Sequence, residues 1–332
     1  MSGPPFRWGV LGAANIARIA VIPAIQKSGG ITVAAIASRD AGKARAMADA
    51  FGVPRAYGSY DELLADAAID AVYNPLPNHL HVPWSIAAME AGKHVLCEKP
   101  IGLNADDARR LLAVRDRTGR QVAEAFMVHV HPQWERVHEL VRAGRIGELK
   151  HVHTTFSYFK RDPANVRSRV EWGGGALLDI GCYPVTLSRR LFGAEPTDVM
   201  ATLERDPDMR IDRLASAILR FPGGTATFTV GGQTVPQQRT ELFGTTGRIE
   251  VPVPVNTPPS APARIVIDDG RGSSESVEFA AVDQYTIQAE RFVEAVRGGR
   301  PVPVPLEDAI ANMAVLDALF RSAETGRWER PS

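Results

Sequence analysis

Lys99 is the first residue whose surroundings suggest chemistry. It follows the apolar run 95–97 and Glu98, and it precedes Pro100. The run predicts a parallel strand, and ligands of open α/β sheets lie beyond the carboxyl ends of such strands. Because Pro100 pushes the preceding residue towards an extended conformation, the direction of the lysine is constrained. These residues alone fit a proton-transfer lysine and a solvated loop lysine equally well, so the rest of the chain must decide.

Asp179 and Tyr183 form a second candidate pair. They follow Trp172 and the three glycines 173–175, which permit close backbone approach before a predicted helix begins. Residues four apart share one face of a helix, so the carboxylate and the phenol would lie together. Asp179 interrupts an apolar turn and would be costly to bury without a partner. The alternative is that Asp179 caps or pairs locally and that Tyr183 packs in the core.

The histidines narrow the choice of acid and base. All eight lie between His79 and His153, and three pairs have the spacing His-x-His. That spacing places two imidazoles on one face of a strand, where a metal could bind. Because no pair has an acidic or cysteine ligand at motif spacing, we predict no metal. No histidine follows His153, so an acid or base from the second half must be Tyr, Lys, Asp or Glu.

The N-terminal strand, turn and helix form a candidate dinucleotide site. The predicted strand 6–11 leads through Gly12 into a helix, at the place of the G-x-G-x-x-G fingerprint, although Ala14 and Ala17 replace the second and third glycines. A methyl at the third position still permits close packing, and the helix N-terminus offers N–H groups to a phosphate. A strand at 31–37 and a helix at 41–51 complete the βαβ unit. The predicted cofactor contacts here are Gly12, Ala13, Ala14, Asn15 and Ile16.

The end of the second predicted strand bears on the choice of cofactor. An NAD enzyme usually has an acid there for the ribose hydroxyls, whereas this chain has Ser38 and Arg39. A guanidinium and a hydroxyl suit a 2′-phosphate, so NADP is predicted. Asp40 could still reach a ribose, which keeps NAD possible. Further predicted cofactor contacts are Lys43, Pro75, Leu76, Asn78, His81, Glu98, Lys99 and Met127.

Length and patterning predict two domains. A chain of 332 residues is longer than a domain with a single hydrophobic core usually is. Alternating strands and helices up to about residue 126 indicate a parallel sheet wrapped by helices. After Val128, short strands separated by Pro and Gly turns indicate an antiparallel sheet. We predict a nucleotide-binding domain at 1–128 and a substrate-binding and oligomerisation domain at 129–332, whose C-terminal helix could pack back on the first.

The run 225–230 suggests how copies of the chain could associate. Its residues alternate between an apolar face and a threonine face. A wide sheet with a neutral outer face of small residues can serve as a subunit interface. We therefore expect a homodimer or a homotetramer.

Composition excludes several classes of partner. Basic and acidic residues are equal in number, 38 each, so no surplus charge favours nucleic acid or anionic lipid. No apolar run approaches the roughly 18 residues of a membrane span, and the N-terminal residues lack a signal pattern, so we expect a cytoplasmic protein. The two cysteines, Cys97 and Cys182, cannot build a disulfide framework.

In order, the motifs 9–17, Glu98-Lys99-Pro100 and 173–183 resemble those of the Gfo/Idh/MocA superfamily of oxidoreductases. The resemblance covers nearly the whole chain. It implies an N-terminal Rossmann domain with a doubly wound parallel sheet, and a C-terminal α+β domain with a large, open, mostly antiparallel sheet. Tyr183 falls where inositol dehydrogenases have histidine. In this respect the chain is similar to the glucose-fructose oxidoreductase, xylose dehydrogenase and dihydrodiol dehydrogenase branches.

The resemblance also implies a reaction, the transfer of a hydride between NAD(P) and a sugar or polyol. A base must take the hydroxyl proton as hydride leaves, and Tyr183 and Lys99 are the candidates, with Asp179 orienting them. We favour Tyr183 as the base with Lys99 supporting it, and the reverse assignment is the alternative. The residues predicted to contact substrate are Lys99, Tyr158, Arg169, Trp172, Asp179, Tyr183 and Tyr285. A dihydrodiol dehydrogenase with an apolar pocket and a cofactor-binding regulator without turnover are the alternatives.

Overall fold

The computed structural model describes residues 4–332 and contains two compact units. The first runs up to Val130 and resumes over Asp283–Ile310, and the second comprises His131–Val282 and Ala311–Ser332. The segment Asp283–Ile310 thus belongs to the first unit, whereas the sequence analysis assigned all residues from 129 onwards to the second domain. The helix in this segment buries Phe292 in the core of the first unit, where the Phe292 ring lies 5.1 Å from that of Trp8.

The first unit contains a six-stranded sheet in the order β3-β2-β1-β4-β5-β6. All its neighbouring strands are parallel. The strand order reverses between β1 and β4, which is the switch point where doubly wound sheets bind their ligands. Its strands are β1 (Phe6–Leu11), β2 (Ile31–Ala37), β3 (Arg55–Tyr57), β4 (Ala71–Asn74), β5 (His94–Cys97) and β6 (Val122–Glu124).

Helices connect these strands. The first begins as a π-helical turn, Ala17–Val21, and side chains cap the helices at Asp40, Ser59 and Asn104. Each cap accepts a hydrogen bond from a backbone N–H of the first turn, which would otherwise have no partner. The helices are α1 (Ile22–Lys27), α2 (Ala41–Phe51), α3 (Tyr60–Ala65), α4 (His81–Glu90), α5 (Ala105–Thr118) and, late in the chain, α8 (Gln284–Arg297).

The second unit contains an eight-stranded sheet in the order β14-β13-β12-β11-β7-β10-β9-β8. The β7–β10 pair is parallel and the other pairs are antiparallel. The predicted fold class is therefore confirmed. Its strands are β7 (Leu149–Phe159), β8 (Asp198–Arg205), β9 (Asp212–Phe221), β10 (Gly224–Gly231), β11 (Gln233–Gly244), β12 (Arg248–Val251), β13 (Ala263–Asp268) and β14 (Ser274–Phe279).

One face of this sheet is covered and the other is open. Phe156, Phe228 and Val230 are buried on the covered face, where α7 packs against β7 and β10. The remaining helices are α6 (Pro132–Arg142), α7 (Cys182–Phe192) and α9 (Leu306–Thr325). Within residues 4–332, no helix has the length and apolar character needed to cross a membrane.

Candidate active site

Gly12 makes the turn that follows β1. Its φ is +88°, and its N–H donates to the Ala37 carbonyl at 2.7 Å. A Cβ at this position would lie 2.9 Å from Leu76 Cδ2, so glycine is needed for both conformation and space. Ala17 is fully buried and Ala14 packs against the core, so both methyl groups of the altered fingerprint are accommodated. The turn and the following helix N-terminus fit a dinucleotide pyrophosphate.

The residues after β2 separate into two roles. Asp40 caps α2, because its Oδ1 accepts from Lys43 N at 3.1 Å and its Oδ2 lies 3.7 Å from Lys43 Nζ. Ser38 Oγ accepts from Asp40 N at 3.2 Å. The carboxylate that could have contacted a ribose is therefore engaged with its own helix, as is Lys43. Arg39 is exposed.

Tyr60, at the start of α3, is a neighbour of Arg39 that the sequence did not reveal. Burial raises the pKa of Tyr60, and the charge of Arg39 and a hydrogen bond from it oppose that rise. The hydroxyl lies 3.7 Å from where a Cβ of Gly12 would be, and the ring packs edge-on against Trp84 at 4.8 Å. The structure thus brings Tyr60 between Arg39 and the Gly12 turn. Nothing in the sequence near position 60 signals a site.

His81 joins two loops that follow strands. Its side chain is 1% exposed, with Nδ1 2.7 Å from the Pro100 carbonyl and Nε2 2.7 Å from the Leu76 carbonyl. Burial lowers the pKa of His81 to about 4, although both carbonyls favour the charged form. Both ring nitrogens are engaged with the backbone, so His81 holds the Leu76 loop to the Lys99 loop. Pro75 and Leu76 are buried in the first loop, and Asn78 begins the 3-10 turn Asn78–Leu80.

Glu98 and two tyrosines surround the backbone of Lys99. The Tyr73 hydroxyl donates to Glu98 Oε1 at 2.6 Å, and Lys99 N donates to Glu98 Oε2 at 3.3 Å. Burial raises the pKa of Tyr285, as does the charge of Glu98, while the charge of Lys99 lowers it. Tyr285 therefore belongs with Glu98 and Lys99 in the first unit. Met127 is 2% exposed, in a 3-10 turn after β6.

In the second unit, Asp179 has two partners. It lies in the π-helical turn Leu177–Gly181 that precedes α7, and only 11% of its side chain is exposed. The Tyr158 hydroxyl donates to Asp179 Oδ2 at 2.7 Å, and Arg167 Nε lies 2.9 Å from the same oxygen. These partners offset the cost of burying the carboxylate. The structure thus brings Tyr158 and Asp179 together, and adds Arg167.

Arg167 was missed because it lies in a basic segment without a periodic pattern. The sequence analysis chose Arg169 instead, whose guanidinium lies 4.9 Å above the centre of the Trp172 ring and pairs with Glu171 at 3.6 Å. The 3-10 turn Val166–Ser168 instead directs Arg167, the arginine that it contains, towards Asp179. No sequence signal distinguishes the two arginines, because the choice depends on this turn.

The glycines 173–175 allow the arginine segment to approach the turn before α7. A Cβ at Gly174 would lie 2.5 Å from the Arg167 carbonyl oxygen. Gly175 has a φ of +117°, and a Cβ there would lie 1.9 Å from Asp212 Oδ1. Asp212 Oδ2 accepts from Leu177 N at 2.6 Å, and burial raises the pKa of Asp212 to about 6. Asp212 thus caps the π-helical turn, a role that no sequence motif indicates.

Tyr183 lies one turn after Asp179, at the start of α7. It is 5% exposed, and its ring packs edge-on against Phe156, with 5.9 Å between the ring centroids. Phe156 and Tyr158 are two residues apart on β7 and so point to the same face of the sheet. Asp179 and Tyr183 therefore both face β7, as their spacing predicted.

A cleft in the second unit adjoins Tyr158. It is shallow and opens to solvent. Its walls come from the end of β7, the Arg167 turn, the start of β9 and the turn between β10 and β11. Its lining includes the side chains of Tyr158, Lys160, Arg167, Asp212, Arg213 and Gln233.

Comparison with known proteins gives matches over nearly the whole chain. Residues 6–126 match the model of the GFO/IDH/MocA oxidoreductase family, NAD-binding Rossmann fold, and residues 134–250 match a GFO/IDH/MocA C-terminal domain. The chain is 48% identical to an uncharacterized oxidoreductase, ORF334, of Rhizobium meliloti, covering 97% of this chain and 98% of the relative. It is 40% identical to D-xylose 1-dehydrogenase (NADP(+)) 2 of Haloferax volcanii, covering 96% and 98%.

A solved structure is also similar. It is the crystal structure of KijD10, a 3-ketoreductase from Actinomadura kijaniata, in complex with NADP and TDP-benzene. The TM-score is 0.90 at 33% sequence identity, over 96% of this chain and 98% of that one. Variants of the same enzyme in which a tyrosine is changed to phenylalanine or a lysine to alanine have a similar fold, with TM-scores of 0.91 and 0.87.

Proposed function

Since the chain belongs to the GFO/IDH/MocA family of oxidoreductases, we propose that it transfers a hydride between NADP and a carbon bearing a hydroxyl or carbonyl group in a sugar or polyol. The resemblance drawn from the sequence motifs is confirmed, and so are the predictions of an oxidoreductase and a nicotinamide cofactor. The observation that carries the proposal is Lys99 directly beyond β5, at the ligand-binding edge of the parallel sheet, in a chain similar to a xylose dehydrogenase.

Four residues support NADP over NAD. Arg39 is exposed beyond β2 and interacts with the Tyr60 hydroxyl, which lies near the Gly12 turn. A guanidinium and two hydroxyls, those of Ser38 and Tyr60, can bind the three oxygens of a 2′-phosphate. Asp40 caps α2 instead of presenting a carboxylate to a ribose. The similar xylose dehydrogenase and ketoreductase are described with NADP.

For the chemistry, we assign proton transfer to Lys99 and Tyr183. NADP accepts or supplies the hydride when it is bound. As hydride leaves a carbinol carbon, the hydroxyl must lose its proton to a base within hydrogen-bond reach. Tyr183 serves as that acceptor, and the ammonium of Lys99 stabilises the phenolate and holds the substrate oxygen. In the reverse assignment Lys99 accepts the proton and Tyr183 donates a hydrogen bond to the substrate.

Asp179 has a positioning role in this proposal. Its carboxylate accepts from Tyr158 and Arg167, so it holds a phenol and a guanidinium at the edge of the cleft. The other proposed substrate contacts are Arg169, Trp172 and Tyr285. The guanidinium carbon of Arg169 lies 4.9 Å from the centre of the Trp172 ring, so these two proposed contacts are neighbours.

The side chains around the cleft favour a carbohydrate over a dihydrodiol. An aromatic diol is best bound by a pocket of aromatic and aliphatic side chains, whereas Tyr158 is the single aromatic residue among the cleft-lining residues, and hydrogen-bonding side chains such as those of Ser168 and Gln233 suit a ligand rich in hydroxyl groups. The intact Lys99, Asp179 and Tyr183 argue against a regulator without turnover.

We also propose that the open face of the eight-stranded sheet joins two copies of the chain. Thr225 and Thr227 are partly buried on this face and hydrogen-bond to His151 and His153 at 3.0 and 2.9 Å. The centre of this face is therefore occupied by threonines and histidines that hydrogen-bond to each other, which suits a symmetric interface.

The experiment that tests the proposed function is a substrate screen. The purified chain is assayed with NADP and NAD against aldoses, polyols and aromatic dihydrodiols, and with the reduced cofactors against the matching carbonyl compounds. We expect turnover on carbohydrates with a preference for NADP. Preference for a dihydrodiol would replace the sugar assignment. Tight NADP binding without turnover on any carbohydrate or diol would support the regulator.

A further inference from the structure

Glu124 is a buried acidic residue that the proposed reaction does not use. It is the last residue of β6, and it is 1% exposed. Burying a carboxylate costs free energy unless hydrogen bonds compensate, and an apolar side chain would fill the same space without that cost. A carboxyl group at this position therefore needs an explanation beyond packing.

The contact that Glu124 makes lies in the loop beyond the neighbouring strand. Strands β5 and β6 are parallel, and Glu124 lies beside Cys97 in the register of the pair. Glu124 Oε1 accepts a hydrogen bond from the backbone N–H of Ile101 at 2.8 Å, and Ile101 is fully buried. A side chain at the end of β6 thus holds the loop that follows β5, two residues after Lys99.

Two further side chains hold the same loop. His81 Nδ1 lies 2.7 Å from the Pro100 carbonyl oxygen, and the backbone N–H of Lys99 donates to Glu98 Oε2 at 3.3 Å. Together with the Glu124 contact, a backbone group of each of the three consecutive residues 99–101 is bound by a side chain. His81 belongs to α4 and Glu124 to β6, so two separate elements fix the backbone directly after Lys99.

Gln288 fixes the backbone from which Glu124 extends. Gln288 lies in α8 and is 6% exposed. In the amide orientation that satisfies its hydrogen bonds, its side-chain oxygen accepts from Met127 N at 3.0 Å and from Phe126 N at 3.2 Å. The turn after β6 is therefore held in place by a helix, so the Glu124 side chain has a fixed origin.

The charge of Glu124 adds to this hold. A hydrogen bond to an ionised acceptor is roughly twice as strong as one between neutral groups. Burial raises the pKa of the Cys97 thiol well above its ordinary value, and the charges of Glu98 and Glu124 add to that rise. The two carboxylates thus place negative charge at the end of β5, which favours a cationic side chain in the residues that follow.

We propose that Glu124 is a positioning residue for Lys99: by holding the backbone at Ile101, it fixes where the lysine is presented beyond β5. The expected effect on turnover rests on the proposed function, in which Lys99 takes part in proton transfer. Displacing a catalytic group by about 1 Å can lower a rate about 10²-fold.

Two variants of nearly equal size separate the hydrogen bond from packing. Glu124→Gln retains an oxygen that can accept from Ile101, whereas Glu124→Met does not. We expect Glu124→Met to lower kcat about ten- to hundred-fold, with changes in KM and NADP affinity below about three-fold. Glu124→Gln should keep kcat within about three-fold of the wild type. The matched controls are Glu90→Gln and Glu90→Met, which alter an exposed carboxylate that pairs with Arg117 and should leave kcat unchanged.

A double-mutant cycle tests whether Glu124 acts through Lys99. If it does, Glu124→Met combined with Lys99→Met should be little slower than Lys99→Met alone, because the group to be positioned is already absent. A general contribution of Glu124 to the fold would instead multiply the two losses.

Hydrogen exchange tests the hold without any substrate. In the full chain, amide exchange of the segment 98–103 is followed by mass spectrometry. We expect it to be faster in Glu124→Met than in the wild type or Glu124→Gln, because the Ile101 N–H loses its acceptor. Circular dichroism and NADP affinity verify folding. If Glu124→Met does not fold, Glu124→Ala replaces it, since the space that it opens can admit water, and the same order of rates is expected.

Faster exchange and slower turnover in Glu124→Met, both restored in Glu124→Gln, with no added loss in the double variant, support the positioning role. Unchanged exchange in Glu124→Met overturns it, and so do multiplied losses in the double variant. If exchange separates the two variants but the wild type turns over no carbohydrate or diol, the hold on the Lys99 loop stands and the proposed function falls.

Discussion

The two units position their candidate functional residues in different ways. In the first unit the site consists of backbone turns at the ends of parallel strands, such as those at Gly12, Ser38 and Lys99. In the second unit it consists of side chains from separate segments, Tyr158, Arg167 and Asp179, which meet through hydrogen bonds. The alternation of strands and helices along the chain is enough to place the first set at one edge of a sheet. The second set depends on local turns that carry no periodic pattern.

We propose that the first unit supplies the positive charge used in proton transfer, and that the second supplies a phenol and the side chains that orient it. The prediction with the largest expected effect tests this division of roles. Lys99→Met retains much of the apolar stem and removes the charge, so turnover should fall about 10²–10⁴-fold with a much smaller change in NADP affinity. Tyr183→Phe removes a single hydroxyl and should cause a comparable loss. Steady-state rates and cofactor titration measure both.

The double variant sharpens that test. If Lys99 and Tyr183 serve one proton transfer, Lys99→Met combined with Tyr183→Phe should be little worse than either single variant. Near-normal turnover of Lys99→Met would make the lysine a cofactor contact only. A silent Tyr183→Phe would instead assign the proton to Lys99 and leave Tyr183 as a packing residue against Phe156.

A second prediction contrasts one buried group from each unit. The pKa of His81 is lowered to about 4 and that of Asp212 is raised to about 6. Between pH 6.5 and 4 the unfolded chain binds more protons at position 81 than the folded one, so His81 costs stability as pH falls. Between pH 6 and 4 the folded chain binds more protons at position 212, so Asp212 adds stability as pH falls. Each effect amounts to about 3 kcal/mol at most.

Denaturant unfolding of His81→Gln and Asp212→Asn at several pH values measures both effects. Relative to the wild type, His81→Gln should become less destabilised as pH falls from 6.5 to 4. Asp212→Asn should become more destabilised over pH 6 to 4, since it removes a group that gains a proton on folding. A stability difference that does not vary with pH in either variant would contradict the corresponding assignment.

A third prediction concerns the cofactor half. Arg39→Ala should weaken NADP by about 1.5–3 kcal/mol, roughly ten- to hundred-fold, because it removes a charged hydrogen bond to the 2′-phosphate. NAD affinity should change little. Titration of both cofactors measures these affinities. Tyr60→Phe is a companion variant that loses one neutral hydroxyl, so its loss of NADP affinity should be smaller. Equal losses of NADP and NAD would refute the phosphate assignment and return Asp40 to the ribose.

The smallest effect is expected for assembly. Thr227→Glu places like charges on the open face of the sheet and should shift a dimer towards monomer, by about 1 kcal/mol or more. Thr227→Val is the control, because it removes the hydrogen bonds to His151 and His153 without adding charge. Light scattering across a concentration series measures the shift. A wild-type chain that stays monomeric at all workable concentrations rules out this interface.

The contrast between the units also explains which strands and helices could be predicted from the sequence. Strands β1 and β2 and helix α2 begin and end where predicted, because apolar runs mark the strands and Asp40 caps the helix. Strand β3 and helix α3 were not predicted; they are short, and β3 is only partly buried. Strand β14 was not predicted, because as an edge strand of mostly exposed polar residues it has no apolar run.

The same distinction, between residues with and without a local sequence pattern, applies to the candidate functional residues. Lys99, Gly12 and Arg39 could be proposed from the sequence because a strand end gives them a position and a direction. Tyr60, Arg167 and Asp212 were missed because their roles depend on contacts across 12 to 48 residues of chain that no local pattern encodes. His81 was identified for its place after a strand, but its contacts with the carbonyls of Leu76 and Pro100 could not be read from the sequence.

The parallel pair of β7 and β10 has a consequence for how the second unit folds. Strands β8, β9 and β10 form a meander, as do β11 to β14, and both can pair with short loops. Strand β7 lies between β10 and β11 in the sheet but precedes both by about 70 residues, as in the pairing of His151 with Thr225. Non-local pairing of this kind is slow, because the chain must close a long loop first. The strand that carries Tyr158 is therefore the one that joins the two meanders, so the contact between Tyr158 and Asp179 depends on this long-range pairing.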